Sequence, residues 1–203
     1  MKFRERPEWI RGDAVQKQCA RLLGRCTNAL VLPCYGAEGV ELEDKAPILY
    51  RPAGSDLVVP DIMLLRRGAA PRWLDVKAKS QPSWHRINGR WEHGCDYSIA
   101  EQYRAVEQET GYQMWIVLRE EYTPLNSHAD SALLGPSCWR TIALADAFRL
   151  GQHRADWPGG KRQPNRRGRD GKGGLLWDRN DMQQLHTMTQ AEHTKQENGR
   201  CAN

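Results

Sequence analysis

Apolar residues recur along this chain with two periods. Val15, Cys19, Leu22, Leu23 and Cys26 return every three to four positions, the spacing of one helical face, and Asp13 can serve the helix N-terminus. That spacing predicts a helix over 13–25. A second is predicted over 98–110, with Ile99, Tyr103 and Val106 on one stripe and Gly111 to stop it. Short β-rich runs predict strands over 28–33, 48–50, 56–65 (interrupted by Pro60), 72–79, 113–118, 139–144 and 174–177. Residues 145–149 read as a short helix and 181–185 as a helical turn. Within 72–79, Trp73, Asp75, Lys77 and Lys79 share one face, and Leu74, Val76 and Ala78 share the other, which is expected to meet the core. Residues 66–71 read as a hairpin-like connection, and 80–95 as a loop around an Asn88–Gly89 turn. Helix, strands, helix and strand in that order predict an α/β fold: a mixed central β-sheet flanked by helices.

Composition narrows the class. At 203 residues the chain is one ordinary domain with length to spare, and 39% hydrophobic content supports an ordered body with polar loops. No run reaches the roughly 20 apolar residues of a membrane helix, and Met1 to Trp9 is too charged for the apolar centre of a signal peptide. A cytoplasmic location is expected, with no membrane partner. Cys19, Cys26, Cys34, Cys95, Cys138 and Cys201 contain no Cys-x-x-Cys pair, and read as reduced, mostly buried thiols.

The net charge of +5 is unevenly distributed. Between Arg149 and Lys172 stand eight basic residues and two acidic ones, so this segment alone is +6 and the remainder is −1. A near-neutral body with one basic segment points to a polyanion partner contacted at a defined place. The expected organisation is a core over 1–150, a basic, loop-rich C-terminal extension with short terminal elements over 151–186, and a disordered tail over 187–203. Lys161, Arg162, Arg166, Arg167 and Arg169 are its candidate nucleic-acid contacts.

Hydrolysing a phosphodiester requires stabilising charge on the non-bridging oxygens and supplying a deprotonated water, and a divalent metal held by two carboxylates does both. Mg²⁺ prefers oxygen ligands and retains several waters, so two acids and one backbone carbonyl suffice; Mn²⁺ is an alternative. A nearby Lys can orient or deprotonate the water, or neutralise the transition state. Asp61, Asp75 and Lys77 are residues of these types, and the carbonyl of Val76 could be a third metal ligand. An acid two before a Lys occurs three times, at Glu43–Lys45, Asp75–Lys77 and Asp170–Lys172, so the tripeptide alone is uninformative. Context selects one of them. Only Asp75–Lys77 lies on a predicted strand, and the sole Pro-Asp of the chain, Pro60–Asp61, stands fourteen residues before Asp75 at the end of an apolar run.

Pro60-Asp61 and Asp75-Val76-Lys77, preceded by Gly12-Asp-Ala-Val-Gln16-Lys-Gln-Cys19-Ala20-Arg-Leu-Leu23, resemble the PD-(D/E)XK nuclease superfamily, the restriction-endonuclease-like fold. The resemblance covers about residues 11–118. The stretch with Tyr103, Gly111 and Trp115 to Leu118 is similar to the helix and strand after the catalytic core in phage, mobile-element or Holliday-junction-resolvase-like members. Many members carry an acid on the first helix four residues after a Gly; here that position is Gln16, a departure that removes one carboxylate. The resemblance implies a Mg²⁺-dependent nuclease acting on DNA, with Asp61 and Asp75 as metal ligands, Lys77 as base or charge stabiliser, and Gln16 as an accessory. It also leaves room for a homodimer.

Trp84, His85, Arg86, Arg90 and Trp91, just after the catalytic strand, are candidate nucleic-acid contacts through stacking and phosphate binding; the alternative is a solvated loop over packed tryptophans. His85, His93 and Cys95 match no standard zinc spacing and want a fourth ligand. Glu101 reads as a solvent-exposed helix acid. Two other functions stay open: a non-catalytic nucleic-acid-binding protein on a nuclease-like scaffold, and a phage or plasmid accessory protein.

Overall fold

The computed structural model describes residues 7–27, 29–34, 48–52, 54–79, 82–85, 88–120, 138–155 and 173–185. The acidic stretch from Glu38 to Asp44, which the sequence predicts to be a loop, lies outside the described residues, as do most of the basic segment and the tail. Helix α1 runs Pro7–Cys26. It begins before Asp13 because Pro7 suits the first helical position, where its missing N–H has no partner to lose. Asp13 instead pairs with Lys17 one turn on. At the other end both the N–H and the hydroxyl of Thr27 bond to the Leu23 carbonyl.

Strands β1 (Leu30–Pro33), β4 (Ile62–Leu65), β5 (Arg72–Lys79), β8 (Gln113–Glu120), β9 (Cys138–Ala143) and β12 (Gln183–Gln184) form a six-stranded sheet in the order β1-β4-β5-β8-β9-β12. Its pairs are antiparallel except β5 with β8, which run parallel. That pair makes the sheet mixed and requires a long crossover, supplied by β6 (Ser83–His85), β7 (Arg90–Asp96) and α2 (Tyr97–Thr110). Gly111 ends α2 in the left-handed region at φ 68°, its N–H on the Glu107 carbonyl. The predicted 56–65 strand divides at Pro60: β3 (Leu57–Val58) pairs with β2 (Ile48–Leu49) in a separate ribbon, and β4 joins the main sheet.

Both faces of the sheet are buried. Val15, Cys19 and Leu23 of α1 pack on Ile62, Leu64, Leu74, Val76 and Val117. On the opposite face, Ala100, Tyr103 and Val106 of α2 and Ala147 of α3 (Leu144–Leu150) cover Trp73, Ile116, Leu118 and Ile142. This corrects the single apolar face expected of 72–79: the Trp73 and Asp75 face is also interior, because α2 covers it.

Ser83–His85 and Arg90–Asp96 pair as a hairpin in place of the expected loop, with Gly89 at φ 58° before β7. Its strands belong to a second sheet, β10-β11-β7-β6, with β10 (Gln152–Arg154) and β11 (Gly174–Asp178). So Gln152–Arg154 within the basic segment is strand, while Arg149, at its start, lies on α3 and pairs with Asp146. Residues 181–185 are not a helical turn: a 3-10 turn spans Arg179–Asp181 and β12 follows, adding to β9. None of the five described cysteines forms a disulfide with another described residue, and only Cys19 and Cys95 of them are buried. No helix among the described residues is long and apolar enough to cross a membrane.

Glu120, at the end of β8, ties the two sheets together. Its Oε1 accepts from His93 Nε2 of β7 at 2.6 Å and from Arg179 Nε at 2.8 Å. Its Oε2 accepts from Arg140 Nε of β9 at 2.9 Å and Arg179 Nη2 at 2.8 Å. Burial alone would raise the carboxyl's pKa, but donors from His93, Arg179 and Arg140 outweigh it and hold the group well below the usual carboxylate range. A depressed folded pKa contributes stability that is present above the unfolded value of about 4.3 and is lost as pH falls through the folded value. E120Q should therefore lose about 3–5 kcal/mol at pH 7, the range for breaking a buried pair. The gap from wild type should narrow steadily below about pH 4. Urea midpoints against pH measure both; a gap of constant size down to pH 2 would contradict this account.

Candidate active site

The β4–β5 hairpin builds the site by coming apart at the right place. Its ladder pairs Leu64 with Arg72, Met63 with Trp73 and Ile62 with Leu74, and ends there. One step further in the same register, Asp61 would stand opposite Asp75. The Asp61 backbone turns instead to β1, its carbonyl accepting the Cys34 N–H at 2.8 Å. Its side chain reaches the other way, and Oδ2 accepts the Val76 N–H at 2.7 Å. A carboxylate thus replaces the ladder bond that β4 no longer supplies, and it lies beside the Asp75 carboxyl.

Asp75 is 1% exposed, on the face of β5 beneath α2. Its Oδ1 accepts from Lys77 Nζ at 2.7 Å and from the Tyr103 hydroxyl at 2.7 Å. The bonds described fall on Asp75 Oδ1 and Asp61 Oδ2. The remaining carboxyl oxygens belong to two like charges side by side, an arrangement that a cation or a proton relieves.

Protonation follows from this crowding. Burial, and then the charge of Asp75, push the Asp61 carboxyl up to about 7, against opposing help from Lys77 and the Val76 N–H. For Lys77, burial works against the ammonium, but Asp75 and Asp61 outweigh it and raise its pKa above the ordinary lysine value. Cys19 of α1 is pushed up to about 12 by burial and by Asp61, which places its thiol within the field of the site as an inert neighbour.

Gln16, one turn before Cys19, is half-buried on α1, whose core contacts lie on the sheet face opposite Asp75. No hydrogen bond joins it to Asp61, Asp75 or Lys77 among the described residues. Tyr103 is the participant that sequence reasoning missed. Its place on the buried stripe of α2 was legible, but a tyrosine among Ile99 and Val106 reads as core, and only the helix's position over β5 aims its hydroxyl at Asp75.

Of the candidate nucleic-acid contacts, Trp84 and Trp91 face each other across the β6–β7 hairpin, ring centroids 5.2 Å apart and edge-on. Arg90 Nε is committed to buried Glu92 at 2.8 Å, and His85 Nδ1 accepts the Asn88 N–H. His93 is engaged by Glu120, away from His85. Glu101 is exposed on α2. Arg86, Lys161, Arg162, Arg166, Arg167 and Arg169 lie outside the described residues. Among the described residues no group of three or more His, Cys, Asp or Glu side chains could hold a metal, so the acids of the site are the Asp61–Asp75 pair.

No family model matches the chain, and no curated protein matches it. Among solved structures it is similar to Hjc, a Holliday junction resolvase from Archaeoglobus fulgidus, at 13% identity and a TM-score of 0.47, over 88% of this chain and 99% of that one.

The raised Asp61 pKa has a signed consequence for stability. An acid whose folded pKa is above its unfolded value contributes stability fully below the unfolded pKa of about 3.9 and loses it as pH rises through the folded value near 7. D61N keeps an oxygen for the Val76 N–H and carries no charge. In chelator it should melt above wild type at pH 8 and together with it below about pH 4. Equal offsets at both pH values would refute the raised Asp61 pKa, whose largest cause is burial.

Proposed function

We propose that this protein is a divalent-metal-dependent nuclease that hydrolyses DNA phosphodiester bonds, using Mg²⁺ or Mn²⁺. The single observation that carries the reading is the buried contact of Asp61 with Asp75 beside Lys77. Two adjacent carboxylates are a poor structural device, since each destabilises the other's charge, but they are the oxygen donor set that a hard divalent cation prefers. The carbonyl of Val76 fits the same set. In an extended strand a residue offers its N–H and C=O to the same side, and the Val76 N–H already points at Asp61.

The bound ion supplies charge neutralisation and an acidified water. Lys77 enters as an ammonium because two carboxylates face it. That assigns it first to the charge that develops on the non-bridging phosphate oxygens, and a base role would require the carboxylate charge to be offset beforehand. Hydrolysis forms one phosphorus–oxygen bond to the water oxygen and breaks one to the leaving bridging oxygen, which departs with a proton.

The second sheet would supply the nucleic-acid surface. Cys95 of β7 is close enough to Lys77 to influence its charge. Trp91 lies on the same side of β7 as Cys95, four residues or about 13 Å along the strand from it, and with Trp84 it would offer a stacking platform on that sheet. The basic residues Lys161, Arg162, Arg166, Arg167 and Arg169 would hold the phosphate backbone, and Arg86 would add to the hairpin's charge. Arg90 is tied to Glu92 through Nε, and its Nη2 is buried without a hydrogen-bond partner among the described residues, so it would reach a phosphate only by swinging out of the sheet.

D61A, D75A and K77A should each abolish Mg²⁺-dependent cleavage of plasmid or branched DNA while keeping a cooperative melt. Undiminished cleavage by all three purified variants sinks the enzyme reading. The runner-up, a non-catalytic DNA-binding protein, is favoured by Gln16 in place of an acid; DNA binding without cleavage at any Mg²⁺ or Mn²⁺ concentration would select it. Affinity for duplex DNA should fall with salt at a log–log slope near −0.9 per phosphate neutralised. Replacing the five basic residues of 161–169 by Ala should flatten the slope by up to about 0.9 for each. An unchanged slope would place the backbone contacts elsewhere.

A further inference from the structure

We propose that Tyr103 is a positioning residue for Asp75: its hydroxyl holds Oδ1 so that the other carboxyl oxygen stays turned toward the cation site. The inference rests on the nuclease reading and adds to it a division of labour between two donors that share one oxygen. Tyr103 and Lys77 both donate to Asp75 Oδ1 at 2.7 Å, but they are held very differently. Lys77 keeps 37% of its side chain exposed on a long flexible stem, so its ammonium can leave Asp75 for a phosphate oxygen. Tyr103 is 5% exposed, its ring fixed between α2 and the sheet.

The helix that carries it is equally constrained. Ala100 and Val106 are fully buried, and Trp73 Nε1 bonds to Thr110 Oγ1 at the C-terminal end of α2. A phenol donates one proton, and here it goes to the oxygen that Lys77 would vacate. Tyr103 therefore keeps Asp75 oriented while Lys77 moves. Without the hydroxyl, and with Asp61 ionised to receive the cation, Asp75 relies on the mobile donor alone, and the carboxylate geometry that a cation needs is no longer fixed in advance.

The two donors should then affect cation binding in opposite directions, which a general packing role for Tyr103 would not produce. Mn²⁺ is titrated calorimetrically into wild type, Y103F and K77M without DNA, alongside thermal melts and the Mg²⁺ dependence of cleavage. Y103F keeps the ring and should bind Mn²⁺ about 10-fold or more weakly, the usual effect of losing a group that orients a ligand. Its cleavage should recover largely at saturating Mg²⁺. K77M removes a competing positive charge and should bind Mn²⁺ as tightly as wild type or more tightly. Wild-type affinity in a folded Y103F overturns the proposal and leaves the nuclease reading intact, whereas wild type that binds no Mn²⁺ overturns both. Should Y103F fail to fold, K77M remains decisive: weakened Mn²⁺ binding there would mean that Tyr103 alone does not hold Asp75.

Discussion

The hydrogen bond from the Val76 N–H to Asp61 is the constraint on which the site depends. A central strand cannot leave an N–H unpaired in the interior without a cost of roughly 1–3 kcal/mol. Where β4 turns away from β5, something must replace the ladder, and Asp61 is the side chain in reach. Pro60 before it has no N–H to offer a sheet, which suits the point where β4 begins. The Cys34 N–H holds the Asp61 carbonyl from the β1 side, so the residue is fixed through backbone and side chain at once. One consequence is unavoidable: satisfying Val76 with a carboxylate brings that carboxylate against Asp75. The fork in the sheet and the crowding of charge are the same event.

Much of this was legible because local and long-range signals agreed. The alternation from Arg72 to Lys79 gave β5 to the residue, and the three-to-four spacing of Ile99, Tyr103 and Val106 with Gly111 behind them gave α2. Pro60-Asp61, unique in the chain and followed by a strand bearing Asp75 and Lys77, singled out the residues that the fold brings together before any geometry. What was not legible depended on partners far along the chain. Residues 83–85 and 90–96 contain a polar mixture with two tryptophans and two histidines, and they become strands only because β11, some eighty residues later, pairs with β7. Gln183 and Gln184 have no strand signal at all, and β9 supplies one. Both faces of β5 are interior because α2 returns over it, which alternation alone cannot reveal.

Two buried carboxylates on the same face of the main sheet show how environment separates structure from chemistry. Glu120 and Asp75 belong to the parallel pair β8 and β5, beneath the same side of the molecule. Glu120 receives donors from His93, Arg140 and Arg179, drawn from three elements, and its charge is held far more firmly than in water. Such a group has no capacity left for a ligand, and its role is to fasten the second sheet to the first. The acid pair at β4 and β5 is the reverse. Asp75 and Asp61 accept three described bonds between them where Glu120 alone accepts five, and Asp61 is driven toward neutrality by burial and by its neighbour.

A fold does not gain stability from that second arrangement, since an Asn at position 61, or Asp61 without a second acid beside it, would satisfy Val76 with less repulsion. Its persistence makes sense if charge arrives from outside to complete it. The position of Lys77 fits the same logic, for it partly offsets the pair yet keeps part of its side chain exposed at the rim. A fully buried ammonium would have closed the site as a structural ion pair, as Arg179 does for Glu120; a half-exposed one can leave. The fastening at Glu120 matters to this, because β7 carries both His93, which binds Glu120, and Cys95, which lies near Lys77. A saturated ion cluster therefore holds in place the wall beside an unsaturated one, and the rigidity of the first allows the second to keep its geometry before any ligand binds.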